Sequence, residues 1–568
     1  MDIVQNNFIN LLSGVKQYQI PIYQRNYGWT TENCQRLLED IVKCGADGAP
    51  NHYIGSIIVK KEESIGYEIF NVIDGQQRMT TISLLLLALC KYWQDNPLPT
   101  VDSTTAAILC NIKDLYIVND SLKSISLYSK LLPKNGSDRT EYENLLIGAN
   151  VGDGTIIRNY KYFVDALNTG AYSVVDIYQG IYKAQLASVT LVKDENPQLL
   201  FEAINDTGID LTDVDLIRNW IFMGLSSKDQ EKLYRSYWIP IETLLADKLE
   251  RFLRYFIILK SEIKNPEVYK TFKKTFILAA GNANSIENIL IEMKDYSEIY
   301  NNYVNNSYSD RKLKTSLFNL NKTGKDVFIP LILRILKMKE TGVITSDDAV
   351  KMLTYLESYI VRRDMLEIPT NSLPDAHILL LKNCSSLNSF INELSAFTET
   401  KRMPTDADLG LKLQTQDFYH LSDAYYYLER IEKKCNSAFA LTDPTIEHIL
   451  PETMHTTANP KPRVSNPLDY NWELDLGTKA IETHDKYQHT LGNLTILPRE
   501  ENSRMGDLRF QLKQTWKSTT PGSLDYGYNY TSIRISQSLK NYSIWNEQSI
   551  LSRCKEMVGY IIQIWPHP

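Results

Sequence analysis

Three residues in the C-terminal third, His448, Asn493 and Asn502, stand in an order that suits phosphodiester hydrolysis. His448 closes a short strand-like run in TIEHILPE, and Pro451 forces the chain out of that strand. A neutral imidazole there takes a proton from water and so makes the nucleophile that attacks phosphorus. Glu447, beside it, faces the opposite side by strand alternation unless the strand ends or bulges; through such an irregularity its carboxylate would ligate a divalent ion. In HTLGNLTILPREENSR, Asn493 heads a second strand-like run, placed to hold the hairpin together and orient the histidine through a backbone bond. Asn502 follows where a helix begins, and its amide oxygen is a hard ligand for Mg2+ or Mn2+. Such an ion stabilises the leaving 3′ oxygen and the pentacovalent phosphate. Arg499, Arg504, Arg509 and Lys513 flank Asn502 and predict a DNA phosphate-binding face. His489, just ahead of the LGN turn, competes for the base role and ranks below His448 because it is not on the first strand. Each feature alone has an ordinary explanation: a core histidine, a turn asparagine, a solvated helix face. Their order, with the basic helix, favours a one-metal ββα nuclease site.

A second stretch predicts phosphate chemistry. In FNVIDGQQRMTTISLLLLALC a strand feeds Gly75 and then a helix whose first backbone N–H groups lack intrahelical partners. Those amides and the helix dipole favour an anion. Arg78 would add a charge-assisted contact, Gln76 and Gln77 amide donors, and Asp74 a hold on a metal, a ribose hydroxyl or a water. The plainer reading is an Asp N-cap with a first-turn arginine. Further on, FEAINDTGIDLTDVDLIRN places Asn205 before a Thr-Gly turn, as in a ligand-facing loop, and then starts a helix capped by Thr212 or Asp213 with Asp215 near its positive end.

The elements that must position these residues fall into segments. A chain of 568 residues exceeds one ordinary core. Residues 1–222 have mixed α/β character, with YIGSIIVKK and YEIFNVID reading as a hairpin and LLLLALC as part of a buried helix. Residues 223–403 show helix after helix without a fixed repeat, and Arg362 and Arg363 read as a solvated or dipole-satisfying helix end. MPTDADLGLKLQTQD has linker composition and hands over to residues 404–568, whose core is 445–513. The formal charge of −7 argues against simple coating of nucleic acid and leaves room for a locally basic cleft. Seven scattered cysteines without a CxxC pair, no signal-like N-terminus and no membrane-length apolar run lead to the expectation of a reduced, cytoplasmic protein off the membrane.

The C-terminal motifs, EHI-x-P followed by GNLT and a later Asn, resemble the GmrD-type HNH module. The N-terminal ones, IPIYQRNYGW, YIGSIIV, DGQQR and the FEAINDTGIDLTDVDLIRN block, resemble the GmrS-type module, related to the ParB and sulfiredoxin fold. The likeness extends to LESYIVRRDM and to the closing Trp545, Ile550, Arg553 pattern; Arg218 stands where the family more often shows Lys. Fused, the modules resemble the GmrSD-like type IV, modification-dependent restriction endonucleases, with BrxU and SspE as relatives. The resemblance implies a multidomain α+β protein: a ParB/sulfiredoxin-like nucleotide-binding and DNA-sensing domain, a helical middle that transmits or forms a homodimer, and a mostly helical HNH nuclease domain. It implies that His448 is the base, that Glu447 and Asn502 hold Mg2+ or Mn2+, and that Gln24, Arg25 and Asp74 to Arg78 surround an NTP such as GTP, UTP, CTP or ATP. The expected activity is NTP-regulated, metal-dependent cutting or nicking of double-stranded, modified or foreign phage DNA. Two other functions compete: a nucleotide-gated DNA-binding regulator with an inactive nuclease module, and a toxin-like nuclease acting on host nucleic acid.

Overall fold

The computed structural model describes residues 2–46, 53–62, 67–97, 101–120, 128–134, 136–149, 152–191, 212–437, 439–517 and 525–568. It is a mixed α+β protein, mostly helical, whose chain divides into two compact units. One comprises Met1–Arg254 and Pro266–Ser297, the other Tyr255–Asn265 and Glu298–Pro568.

The first unit is built on a sheet of β1 (Asp2–Asn7), β2 (Lys16–Gln19), β3 (Tyr53–Glu62), β4 (Glu68–Asp74), β5 (Leu131–Leu132) and β6 (Gln185–Leu191). Their spatial order is β1-β6-β3-β4-β2-β5. β3 and β4 form the expected antiparallel hairpin, with Val59 opposite Val72 and Lys61 opposite Phe70. β2 runs parallel to β4, and β3 parallel to β6. Ile57, Ile58 and Val59 are buried consecutively rather than alternately, as a central strand covered on both faces requires. The run LLLLALC lies in helix Gln76–Asp95 and is buried along its whole length. Of the two caps the sequence offers, Thr212 is the one that caps helix Asp213–Phe222, its side chain accepting from the Asp215 N–H.

Among its described residues, the second unit is helical apart from the hairpin of β7 (Pro444–His448) and β8 (Leu494–Pro498), followed by helix Arg499–Met505. Two expectations are corrected here. Arg362 and Arg363 are buried, not solvated. Arg362 donates to Trp565 O, Pro404 O and Asp406 Oδ1, and Arg363 to Thr400 O, Arg402 O, Pro369 O and Ser372 Oγ. A guanidinium carries five donors in a rigid fork, so it can tie loop carbonyls together inside a core. The segment of linker composition is also built in. Thr405 and Asp408 form a capping box on helix Asp406–Lys412, which sends Leu409 into the core. Among the described residues, no helix is long and apolar enough to cross a membrane.

Candidate active site

β7 and β8 pair antiparallel from Pro444–Pro498 to His448–Leu494, which puts His448 at the strand's end. Its ring packs on Tyr419, centroids 4.3 Å apart, and its Nε2 lies 3.1 Å from Nδ1 of His489. Burial, then the neighbouring His489, pushes the His448 imidazole down to about 3, so the ring is neutral at physiological pH. Beside it opens a cleft of about 670 Å3 whose lining includes Thr445, Glu452, Arg499, Asn502 and Asp507.

Asn493 does not face this cleft. It is fully buried, its Oδ1 accepting from Leu450 N (2.8 Å) and Trp545 Nε1 (3.0 Å), its Nδ2 donating to Leu450 O and Gln488 O (2.8 Å each). Its carbonyl accepts from Ile449 N at 2.9 Å. Asn493 therefore clamps the chain leaving His448, which is the hairpin-holding role through backbone bonds read for it from the sequence. Gly492 beside it packs against the carbonyl of Ile550 so closely that a Cβ would collide with it. Arg553 holds the same turn from below, donating to Gly492 O, Leu494 O and Ile535 O. Trp545, Ile550 and Arg553 are thus the floor of the LGN turn.

Asn502 keeps its place at the cleft. Its Nδ2 donates to Thr445 Oγ1 (2.9 Å) and Ile446 O (3.0 Å), pinning the helix to β7, and these bonds leave Oδ1 for the cleft side. Glu447 also borders the cleft, but its side chain is almost wholly buried. Strand alternation turns its side chain inward, where Oε1 accepts from Lys513 Nζ (2.6 Å) and Tyr528 OH (2.9 Å). Burial holds the carboxyl above the usual range in spite of Lys513 beside it. A carboxylate buried this way and already bound to a lysine does not fit the ligand role expected for it.

Lys513 is corrected for the same reason. Its side chain is 0% exposed and it also donates to His448 O at 2.9 Å, so it supports the active strand and does not reach phosphate. Arg509 is largely committed to buried Asp475. Arg499 and Arg504 remain on the surface, paired with Asp443 and Glu500. Residues missed by the sequence reading are Glu452 and Tyr419. A ligand atom from each of His448, Glu452 and His489 lies within 4.8 Å of the others. The only sequence signal for Glu452 is its place just past Pro451.

In the first unit, Gly75 caps helix Gln76–Asp95 with φ of 89°, where a Cβ would lie 2.8 Å from Ile57 Cγ1; having no side chain, the cap residue makes no cap bond of its own. Gln24 Nε2 donates to Ile73 O (2.9 Å) and Gln76 Nε2 to Gln24 Oε1 (3.2 Å). Gln77 accepts from Gly28 N and donates to Asn26 O. The glutamines therefore moor the loop of IPIYQRNYGW to the helix start rather than offering donors to a ligand. What remains for an anion is the first turn with Arg25 and Arg78, both attracted to Asp74. Burial raises the Asp74 carboxyl and lowers the Arg78 guanidinium, and Arg78 donates to Ser56 O at 3.0 Å. Asn205 lies outside the described residues.

Two family models match the chain. That of the GmrSD restriction endonuclease N-terminal domain covers residues 8–222, and that of the GmrSD restriction endonucleases C-terminal domain covers residues 403–559. The first match spans the Asp74–Arg78 turn and the second the β7–β8 hairpin with its cleft. Comparison with curated proteins finds no match.

Proposed function

The chain belongs to the GmrSD restriction endonucleases, DNA endonucleases of restriction defence, and from that premise we propose that it cuts modified or foreign DNA in the cleft beside His448, under nucleotide control and with a divalent cation. The observation that carries this reading is a neutral imidazole held at the edge of an open cleft, with Asn502 presented from the following helix. A neutral imidazole has one lone pair, which either takes the proton of the attacking water or holds a cation; in both duties His448 is indispensable. A divalent cation bound here would stabilise charge on the phosphate and the leaving oxygen. Asn502 Oδ1 fits such an ion, whereas Glu447 does not. Arg499 is placed to meet the DNA backbone.

The Asp74–Arg78 turn is the controller in this reading. Arg25, Arg78 and the helix terminus would hold the phosphates of an NTP, with Asp74 positioned for its metal or a water. The chemistry supplied when NTP binds is phosphoanhydride hydrolysis. Arg78→Ala removes NTP binding and hydrolysis; a variant that still turns over NTP at the wild-type rate places that site elsewhere. The overall test is digestion of plasmid and of a panel of modified phage DNAs, with and without each NTP. Cutting of unmodified host DNA alone would instead favour a toxin-like nuclease, and binding without cutting a regulator.

A further inference from the structure

Glu447 is the carboxylate the sequence offers to a metal, yet it is buried against Lys513 and Tyr528. The cleft holds another. Glu452 is exposed just beyond Pro451, and one ligand atom from each of Glu452, His448 and His489 lies within 4.8 Å of the other two. We propose that this cleft binds a divalent cation through His448, Glu452 and His489, and takes a borderline ion such as Zn2+, Co2+ or Mn2+ in preference to Mg2+.

The spacing of the nitrogens fits. Two imidazole nitrogens each about 2.1 Å from one cation lie about 3.0 to 3.4 Å apart in octahedral or tetrahedral geometry. His448 Nε2 and His489 Nδ1 are 3.1 Å apart. Both rings are also held from outside. Tyr419 packs on His448 and stacks on His489 with an interplanar angle of 17°. The His489 carbonyl accepts from Phe418 N and Tyr419 N, and His484 Nε2 meets Pro451 O at 2.9 Å, fixing the residue that precedes Glu452. Ligands ordered before the ion arrives lose little freedom on binding it. Two nitrogens and one carboxylate oxygen suit imidazole-preferring ions, whereas Mg2+ takes oxygen ligands and keeps its waters. Opening onto a cleft of about 670 Å3, the site leaves coordination positions for water and a phosphate oxygen.

The inference rests on the nuclease reading for its purpose but not for its test. Tag-free, metal-stripped full-length protein is titrated with Co2+ and followed by its visible absorption. The expected result is one equivalent bound, with bands of an imidazole-ligated ion that excess Mg2+ does not remove. Glu452→Gln, a change at an exposed position, and His489→Ala each weaken Co2+ binding by about tenfold or more. Absence of those bands, unchanged binding in Glu452→Gln, or displacement by equimolar Mg2+ overturns the site and leaves His448 and His489 as a hydrogen-bonded pair. If Co2+ binds as described and no DNA in the panel is cut, the nuclease reading fails and the site stands. If DNA is cut with Mg2+ alone and Co2+ does not bind, the site falls and the nuclease reading stands.

Discussion

Lys513→Met separates the two roles that one lysine could play. In the structure its ammonium is buried against Glu447 Oε1 at 2.6 Å and His448 O at 2.9 Å. Removing it leaves a buried carboxylate, and losses from broken buried pairs run at about 3–5 kcal/mol. Protonation limits that loss. Neutralising a carboxyl of ordinary pKa, 4.5 for Glu447, against pH 7 costs about 3 kcal/mol. The lost bond to His448 O adds about 1 kcal/mol. The hairpin of β7 and β8 is therefore weakened by about 3–4 kcal/mol at pH 7, and at pH 5 by only about 1–2 kcal/mol, because the carboxyl then takes its proton readily. The sign follows from linkage: in the variant the folded chain binds a proton that the unfolded chain releases above its ordinary pKa, so stability falls as pH rises. Hydrogen exchange of peptides spanning 444–448 and 494–498 reads this as exchange faster than wild type by about several hundredfold at pH 7, since 1.4 kcal/mol is about a factor of ten. Glu447→Gln with Lys513→Met restores most of the protection, because no charge is left buried. Unchanged exchange in Lys513→Met, together with a DNA-binding salt slope lowered by about 0.9, is the behaviour of a phosphate contact and would refute the argument.

Three other outcomes follow from the same structure. His377 is 2% exposed, packs edge-on to Phe328, and is pushed down to about 4 by burial and then by Arg334. It stays neutral folded but takes a proton unfolded, so its contribution is full above about pH 6.5 and is lost progressively as pH falls toward 4; replacing it with Phe flattens that part of the pH–stability curve in denaturant titrations. Gly75→Ala forces a Cβ onto Ile57 at a φ of 89°, costing about 1–3 kcal/mol and loosening the anion turn, seen as weaker NTP binding in calorimetry. Arg499→Ala lies at an exposed pair with Asp443 and leaves the denaturation midpoint unchanged, while the salt dependence of DNA binding becomes shallower by about 0.9.

Local signals were legible wherever chemistry and backbone agreed. The strands of YIGSIIVKK and YEIFNVID, the buried helix after Gly75 and the Thr212 cap follow from alternation, apolar run length and capping preference, and all are found. The hairpin around His448 follows from Pro451 and the LGN turn. What sequence spacing could not supply is direction. Lys513 and Arg499 look alike as basic residues around Asn502, yet one points into the core at Glu447 and the other to the cleft, a difference set by the helix Phe510–Gln514 packing under the hairpin. Arg362 and Arg363 looked like surface charge because their partners are carbonyls from residues far along the chain, which carry no side-chain signature. Strand alternation already set Glu447 opposite His448; what the fold adds is an unbroken β7–β8 register, with no bulge to turn Glu447 back, and the position of Glu452, for which the sequence carries no signal beyond its place after Pro451.

The most direct test of the account is His448→Ala in a DNA cleavage assay, with hydrogen exchange of the β7–β8 hairpin and NTP turnover measured on the same preparation. Loss of cutting on every DNA that the wild type cuts, with NTP turnover and the rest of the fold intact, is the predicted result. Cutting at the wild-type rate by that variant would show that the cleft beside His448 is not where DNA is cleaved.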